Sequence, residues 1–263
     1  MDQPSEQTAG ATPALAPHPV LPDHYRRPED RVGYIRTLFD RTADSYDRIN
    51  AWMSLNTGAR YRRDAMIRAG VGAGQRLLDC ACGTGVMAAH AETLVGPDGE
   101  VIALDPSLPM LAEAAKRGVR QRVAAIAEQL PLPDASVDVI TMGYALRHVA
   151  DLGIAFREFA RVLRPGGRLL ILEMVPPSSR GGYLFAKLYL KHLVPTLAHL
   201  VTRRADARRL MRYYWDTVSN CVPPGRVLSA LTDAGFADVR RDLMFSLLSE
   251  YTARLPEAGP VSG

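Results

Sequence analysis

The sequence predicts an α/β protein whose core is a mostly parallel sheet. One observation is a short apolar strand at residues 76–79, which ends in Asp79 and runs into a glycine-rich turn and a helix. Another is the alternation of strands and helices up to residue 174, which is typical of linked β-α-β units. A last pair of strands within residues 237–253 is expected to form a hairpin and to add one antiparallel strand.

The two ends of the chain are predicted to lie outside a single domain that covers residues 29–255. Residues 1–28 are rich in proline, alanine and polar residues and lack periodicity, which favours a disordered leader. Residues 256–263 are expected to form a flexible tail. The domain begins with a helix from about Glu29, whose apolar side chains recur at three- and four-residue spacing, and continues with a second helix at about 58–69.

Seven strands follow from the pattern of apolar runs and turn signals. We place them at about residues 76–79, 101–105, 122–126, 137–142, 168–174, 237–244 and 246–253. The intervening helices are placed at about residues 86–94, 107–117, 152–163 and 223–234. A helical insertion at about 182–213, interrupted at Pro195, separates the fifth strand from the sixth because the alternation breaks there.

Composition excludes several classes of protein. A hydrophobic fraction of 47% and a charged fraction of 23% are ordinary for a soluble domain, and no apolar run is long enough for a transmembrane helix. The net charge of +4 is modest, and no aromatic-rich basic module indicates nucleic acid. The three cysteines, which include the isolated pair Cys80 and Cys82, favour a reducing cytoplasm and predict neither a disulfide framework nor a metal site.

The glycine-rich turn predicts a nucleotide pocket. Gly83 and Gly85 allow backbone angles and close approach that a Cβ atom would forbid, and the next helix turns its free N–H groups towards a ligand carboxylate. Asp79 is suited to a ligand ammonium group, and Asp105, at the end of the second strand, is suited to ribose hydroxyls. These residues alone leave open whether the ligand is a dinucleotide or S-adenosylmethionine.

Several separated motifs resemble class I S-adenosylmethionine-dependent methyltransferases, and among them the ubiquinone and menaquinone C-methyltransferases of the UbiE type. The motifs are LFDRTADSYDRIN at 38–50, LLDCACGTG at 77–85, AEQLPLPD at 127–134, ALRHV at 145–149, RVLRPGGRLLILE at 161–173 and AGFADV at 234–239. The resemblance implies a Rossmann-like sheet of seven strands, N-terminal lid helices and S-adenosylmethionine as cofactor. It also implies that Ala81, Ala127 and Glu128 join Asp79 and Asp105 in binding that cofactor.

Two positions depart from the family pattern. Ile126 stands where the family usually has Asp or Asn directed at the adenine amino group, so a different adenine contact or a different ligand is implied. His148 stands where related sequences commonly have Asn. A specialised-metabolite methyltransferase, or a protein that binds the cofactor without methylating, therefore remains an alternative to the quinol C-methyltransferase that the resemblance implies.

Three residues are candidates for the chemistry of methylating an electron-rich ring. Arg147 is suited to stabilising a phenolate, and the alternative is a structural ion pair. His148 is suited to general-base catalysis, directly or through water, and the alternatives are a solvent-facing residue or a helix cap near Asp151. Tyr46, on the segment that resembles the family lid, would close over donor and ring unless it is an ordinary buried aromatic.

The segment 183–212 combines apolar side chains with seven lysines and arginines. That combination is suited to an anionic bilayer, from which a prenylated quinol would be delivered, and predicts peripheral contact with the inner face of the membrane. The alternatives are a helical cap with a solvated basic face, or the interface of a homodimer.

Overall fold

The computed structural model of the chain describes residues 14–53, 57–196 and 205–257. The helices are α1 Asp30–Met53, α2 Gly58–Arg68, α3 Val86–Val95, α4 Leu108–Lys116, α5 Leu152–Val162, α6 Arg180–Lys187, α7 Ala205–Ser219 and α8 Pro224–Asp233. The strands are β1 Arg76–Cys80, β2 Glu100–Leu104, β3 Gln121–Val123, β4 Val137–Gly143, β5 Leu163–Met174, β6 Ala237–Met244 and β7 Leu248–Arg254. A short 3₁₀ turn spans Leu146–His148, and a π-helical turn spans Leu188–Leu193.

The strands form one seven-stranded sheet in the order β3-β2-β1-β4-β5-β7-β6. All neighbours up to β5 are parallel, and β7 is antiparallel to both β5 and β6. The predicted fold class is therefore confirmed. Strand order reverses between β1 and β4, and the carboxyl edge of a parallel sheet beside such a reversal is where ligands bind.

Both faces of the central strands are buried, as their short apolar runs predict. Leu77 and its cross-strand partner Val139 pack in the cluster that contains α2, α3 and α4 residues. Leu78 and its partner Ile140 pack in the cluster that contains α5 and α8 residues. Because side chains alternate along a strand, burial of both faces fixes the register of the central strands. The parallel strands then end at the same edge of the sheet, where Asp79 lies.

The predicted leader is wrong for residues 14–28, whereas residues 1–13 lie outside the described residues. Leu21 and Tyr25 are only 7% and 5% exposed and join the apolar cluster of α1, α6 and α7. The carbonyl of Leu15 accepts from the N–H of Leu152, 3.0 Å away, at the start of α5. A proline-rich segment has no periodicity, yet some of its apolar side chains are buried here and the Leu15 carbonyl partners a helix N-terminus. The predicted tail is described only as far as residue 257.

The helical insertion is present and extends further than predicted, through α6, the π-helical turn and α7 to Ser219. The helix was expected to be interrupted at Pro195, but this prediction is wrong at the proline itself, because residues 194–196 are helical. The π-helical turn ends at Leu193, two residues before this proline. Proline lacks a backbone N–H and its ring clashes with the preceding helical turn, so a wider turn accommodates it. Residues 197–204 of the insertion lie outside the described residues.

Within the described ranges, no helix has the length and apolarity needed to cross a membrane.

Candidate active site

A cavity of about 350 Å³ opens at the carboxyl edge of the sheet, beside the reversal in strand order. Asp79 of β1, Asp105 after β2 and Gly143 of β4 contribute to its floor. Helix α1 also lines the cavity, through Tyr46 and Asp47. The segment to which the family resemblance assigns a lid is therefore a helix that lines the cavity.

In the loop after β1, every second residue from Ala81 to Gly85 has a left-handed backbone conformation. Ala81, Gly83 and Gly85 have φ angles of +56°, +56° and +77°. A left-handed residue with a side chain costs roughly 1–2 kcal/mol, so Ala81 is a strained position in the turn. A hydrogen bond of 2.9 Å from the Cys82 N–H to the Leu104 carbonyl ties the loop to β2. The loop thus exposes backbone to the cavity, which Ala81, Gly83 and Cys82 line.

Gly85 and Gly83 form a matched pair for testing this loop. A Cβ atom at Gly85 would lie 2.7 Å from the Ala114 Cβ and 3.1 Å from its Cα, whereas one at Gly83 meets nothing within 4 Å. We expect Gly85→Ala to lower the free energy of unfolding by about 3 kcal/mol, from overlap and backbone strain together, and Gly83→Ala by about 1 kcal/mol, from strain alone. Urea unfolding measures both, and equal losses would contradict the close approach of α4.

Asp79 carries a partly unsatisfied carboxylate at the end of β1. Its side chain is buried, and Oδ1 accepts a hydrogen bond of 2.8 Å from the Thr141 hydroxyl. Oδ2 is buried and has no hydrogen-bond partner among the described residues. Burial raises the pKa of Asp79 to about 7. An ammonium group in the cavity would satisfy Oδ2 and stabilise the ionised form, which is the role predicted for this residue.

Asp105 holds the loop as well as facing the cavity. Its two oxygens accept from the Gly83 and Ser107 N–H groups, both at 2.8 Å. Burial raises the pKa of Asp105 to about 6, and those backbone N–H groups act in the opposite direction. Each carboxylate oxygen accepts more than one hydrogen bond, so Asp105 keeps the capacity for ribose hydroxyls predicted for it.

The segment 126–128 contributes an apolar surface to the cavity and a carboxylate that binds the turn before α5. The Ile126 side chain lines the cavity and is 40% exposed, so it offers surface but no hydrogen bond at the predicted adenine position. Ala127 is buried beside it and also lines the cavity. The Glu128 carboxylate accepts from the N–H groups of Ala150 and Asp151. Glu128 thus holds the turn before α5, and any contact with cofactor uses its remaining lone pairs.

Arg147 is not where its predicted role requires it to be. Its side chain is 1% exposed, it forms an ion pair with Glu173, and its guanidinium lies 4.4 Å from the Tyr214 ring centroid. It is absent from the cavity wall, whereas its neighbour His148 is part of it. This placement contradicts direct stabilisation of a phenolate by Arg147 and agrees with the alternative of a structural ion pair. Adjacent residues of the 3₁₀ turn point in different directions, and the apolar surroundings of Arg147 require a charged partner.

His148 and Tyr46 do reach the cavity. The His148 imidazole is half-buried, and its centroid lies 5.1 Å from that of Phe39 on α1. Burial, with the nearby charge of Arg147, lowers the pKa of His148 well below its usual value. The helix-capping alternative does not hold, because the Asp151 side chain itself caps α5 by accepting from the Ile154 N–H at 3.1 Å.

Comparison with known proteins decides the family. A model of the ubiE/COQ5 methyltransferase family matches residues 27–246. The chain belongs to that family. A demethylmenaquinone methyltransferase of Symbiobacterium thermophilum is 32% identical over 82% of this chain and 90% of its own length. A ubiquinone/menaquinone biosynthesis C-methyltransferase UbiE of Yersinia pestis is 34% identical over 80% and 86%.

Solved structures agree with the fold of this ubiE/COQ5 family member. A SAM-dependent methyltransferase of Thermotoga maritima, described as a possible histamine N-methyltransferase, superimposes with a TM-score of 0.60 at 19% identity, over 83% of this chain and 98% of its own. The [4+2]-cyclase SpnF superimposes with a TM-score of 0.64 at 18% identity, over 93% and 100%. At these identities the likeness concerns the fold alone.

As a ubiE/COQ5 family member the chain is an S-adenosylmethionine-dependent methyltransferase, and its cavity fits that cofactor. The unpartnered Oδ2 of Asp79 suits the ammonium group, and Asp105 suits the ribose. The dinucleotide alternative is thereby removed. Among the described residues no group of three or more His, Cys, Asp or Glu side chains is placed to hold a metal ion. Burial raises the pKa of Cys80 and Cys82, which keeps both thiols protonated.

Sequence reasoning missed residues that hold the site together. The Asp47 carboxylate of α1 accepts from the Thr84 hydroxyl at 2.6 Å and pairs with Arg117 at 2.5 Å. The Ser107 hydroxyl donates to Asp40 of α1 at 2.5 Å. These contacts fasten the lid helix to the glycine loop and to α4. No local pattern reveals them, because each joins residues at least 37 positions apart.

A cavity-lining cation was also missed. Arg62 of α2 lines the cavity, and its guanidinium lies 4.7 Å from the Tyr144 ring centroid. In the sequence, Arg62 is indistinguishable from the neighbouring Arg60 and Arg63, and only the packing of α2 on α3 selects it. A guanidinium there suits a carboxylate of the bound cofactor.

Proposed function

We propose that this protein transfers a methyl group to a ring carbon of a benzoquinol or naphthoquinol, prenylated in its natural form, in ubiquinone or menaquinone biosynthesis. The observation that carries the proposal is that Asp79 Oδ2, a buried acceptor with no partner in the part of the chain that the structure describes, shares one cavity with Phe39, Tyr46 and His148. A cationic methyl donor bound at Asp79 and an aromatic acceptor bound against Phe39, Tyr46 and His148 would lie together in this cavity. The names of the two bacterial relatives give the acceptor class.

The chain's own residues supply alignment and exclusion of water rather than covalent catalysis. When bound, S-adenosylmethionine provides an electrophilic methyl group on a sulfonium. Asp79 contributes a buried carboxylate to the cavity, and Asp105 fixes the glycine loop beside it by accepting from the Gly83 N–H group. Tyr46 of α1, which packs edge-on against Phe39 at 5.8 Å between centroids, lines the same cavity. Preorganising the two reactants in this way is the main requirement of a displacement at a methyl carbon.

Complementation tests this function directly. We expect the gene to restore the missing ring methyl group in a bacterial strain deficient in quinone methylation, as read by mass spectrometry of extracted lipids. Methylation of some other aromatic metabolite, with the quinone left unmethylated, would instead support the specialised-metabolite alternative that Ile126 keeps open. If the purified protein bound S-adenosylmethionine in calorimetry but consumed none with either class of acceptor, methyl transfer itself would be excluded.

A finer proposal concerns where the acceptor is collected. We propose that this protein acts in the cytoplasm and contacts an anionic membrane through α6 and the π-helical turn, whose exposed apolar side chains are Leu184, Phe185, Leu188 and Leu193. A neighbouring cavity is lined by the cations Lys191, Arg208, Arg209 and Arg212. The carboxylate of Asp216 there is already partnered by His24 at 3.0 Å and Lys191 at 3.3 Å. Exposed apolar surface beside positive charge favours anionic headgroups.

Vesicle binding tests the proposed membrane contact. We expect the double variant Leu184→Ser, Phe185→Ser to bind vesicles of anionic phospholipid at least ~10-fold more weakly, because each change removes a large exposed apolar side chain. Ile154→Ser, which removes a 41% exposed side chain on α5, is the matched control. Co-sedimentation at low and high salt gives the affinities. If the double variant left vesicle binding unchanged but converted a dimer to a monomer in sedimentation velocity, the surface would be a homodimer interface.

A further inference from the structure

The His148 ring is held from two sides by residues outside its own turn. Tyr213 of α7 lies against it with ring centroids 5.5 Å apart and planes at 23°. Phe39 of α1 meets it edge-on at 70°. The Tyr213 hydroxyl lies 3.3 Å from His148 Nδ1, and Nε2 has no hydrogen-bond partner among the described residues. Since the ring lines the cavity, Nε2 is the nitrogen left to meet a ligand.

The surroundings favour the uncharged imidazole. Besides burial, the charged and titratable groups that act on His148 are Arg147, His18 and Arg31, all of which disfavour a further positive charge. Tyr213 faces it with a hydroxyl whose pKa is raised by burial, so this side offers no anion. A neutral imidazole carries one proton, and its partner decides which nitrogen holds it.

The Tyr213 hydroxyl decides the position of that proton. Tyr213 is fully buried, and among the described residues His148 Nδ1 is the one hydrogen-bond acceptor within reach of its O–H group. If Nδ1 carried the proton instead, the hydroxyl hydrogen would be buried without a partner, at a cost of about 1–3 kcal/mol. The favoured arrangement has Tyr213 donating to Nδ1, which leaves the proton on Nε2.

We propose that Tyr213 is a positioning residue that fixes His148 as a neutral donor, and that His148 Nε2–H donates to the phenolic oxygen of the acceptor instead of removing its proton. This inference rests on the proposed function for the identity of the acceptor. The phenolic proton leaves to water, and the ring carbon then forms its bond to the methyl group while the electron pair of the broken C–S bond stays on sulfur. The ring carbon next loses its own proton and the oxygen is reprotonated, so one proton reaches solvent overall. A donor at the oxygen stabilises the negative charge it bears during attack.

Two substitutions separate a donor from a base. Gln places an amide N–H group near the position of Nε2 but accepts no proton, whereas Leu does neither. We expect His148→Gln to keep kcat within ~5-fold of the wild-type value and His148→Leu to lower it by on the order of 100-fold. Cofactor affinity, measured by calorimetry, should be retained in both. If His148→Gln were as inactive as His148→Leu, the donor role would be overturned in favour of general-base catalysis.

A spectroscopic measurement does not depend on turnover. In the full-length protein with ¹⁵N-labelled histidine, long-range ¹H–¹⁵N correlations assign the tautomer of His148 once His148→Gln has identified its signals. We expect the Nε2–H form throughout pH 6 to 8.5, and a shift towards mixed tautomers in Tyr213→Phe. A Nδ1–H or doubly protonated ring in the wild-type protein would overturn the inference. If no quinol were methylated, the proposed function would fail while this measurement still decided the tautomer.

Discussion

Replacing Asp79 by Asn is expected to weaken the binding of S-adenosylmethionine by about 100-fold, which corresponds to about 3 kcal/mol. Asn keeps the size of the side chain and an oxygen that accepts from the Thr141 hydroxyl, but it loses the negative charge and the unpartnered Oδ2. Titration calorimetry gives the two affinities. Asp138→Asn is the control, because the Asp138 carboxylate accepts from the Arg76 N–H and pairs with Arg164 away from the cavity. An unchanged affinity in Asp79→Asn would remove Asp79 as the ammonium partner.

The same variant is expected to be more stable than the wild type when no cofactor is bound. The Asp79 carboxyl has a pKa of about 7 in the folded chain, compared with about 4 in an unfolded chain. The folded chain therefore holds a proton that the unfolded chain releases, and this group lowers stability progressively as the pH rises from about 4 to about 7. We expect Asp79→Asn to unfold at a higher temperature at pH 8, with a smaller difference at pH 5. If Asp79→Asn is more stable but binds S-adenosylmethionine more weakly, the Asp79 carboxylate serves the ligand and not the stability of the fold.

Local patterns were sufficient for the sheet and for the half of the site that depends on strand ends. Asp79 and Asp105 follow directly from buried strands, and parallel neighbours bring their ends to one edge. Gly85 was singled out for close approach, and the structure shows why, since α4 leaves no room for a Cβ atom. Each of these features depends on residues close together in the sequence, where the spacing of apolar residues and the choice of turn residues predict the structure.

Other features depend on contacts between distant parts of the chain. Residues 14–28 lack periodicity and were assigned to a leader, although the burial of Leu21 and Tyr25 depends on α1 and α7. Asp47 was visible only as a polar residue of the lid, because its partner Thr84 lies in the glycine loop. The orientation of a side chain in a 3₁₀ turn is equally unreadable, so the sequence left Arg147 open between contact with a phenolate and a structural ion pair.

Breaking the Arg147–Glu173 ion pair from one side is expected to destabilise the protein by about 3–5 kcal/mol. The Arg147 and Glu173 side chains are 1% and 2% exposed, so Arg147→Met leaves the Glu173 carboxylate buried without its cation. The melting temperature should fall by about 6–20 °C, since 1 kcal/mol corresponds to about 2–4 °C in a chain of this size. Thermal and urea unfolding measure the loss. Replacement of the exposed Arg60 by Met, which breaks only a surface pair with Asp64, should cost less than about 1 kcal/mol.

The double variant Arg147→Met, Glu173→Gln separates structure from catalysis. Gln is uncharged, so no unpaired charge is buried, and its amide oxygen can still accept from the Met174 N–H that Glu173 Oε1 binds at 2.7 Å. Much of the lost stability should therefore return, because a buried ion pair and a neutral replacement of similar shape differ little in free energy. Since Arg147 does not line the cavity, the folded double variant should also transfer methyl groups. A double variant that is stable and binds cofactor, yet transfers no methyl group, would show that Arg147 acts in the reaction after all.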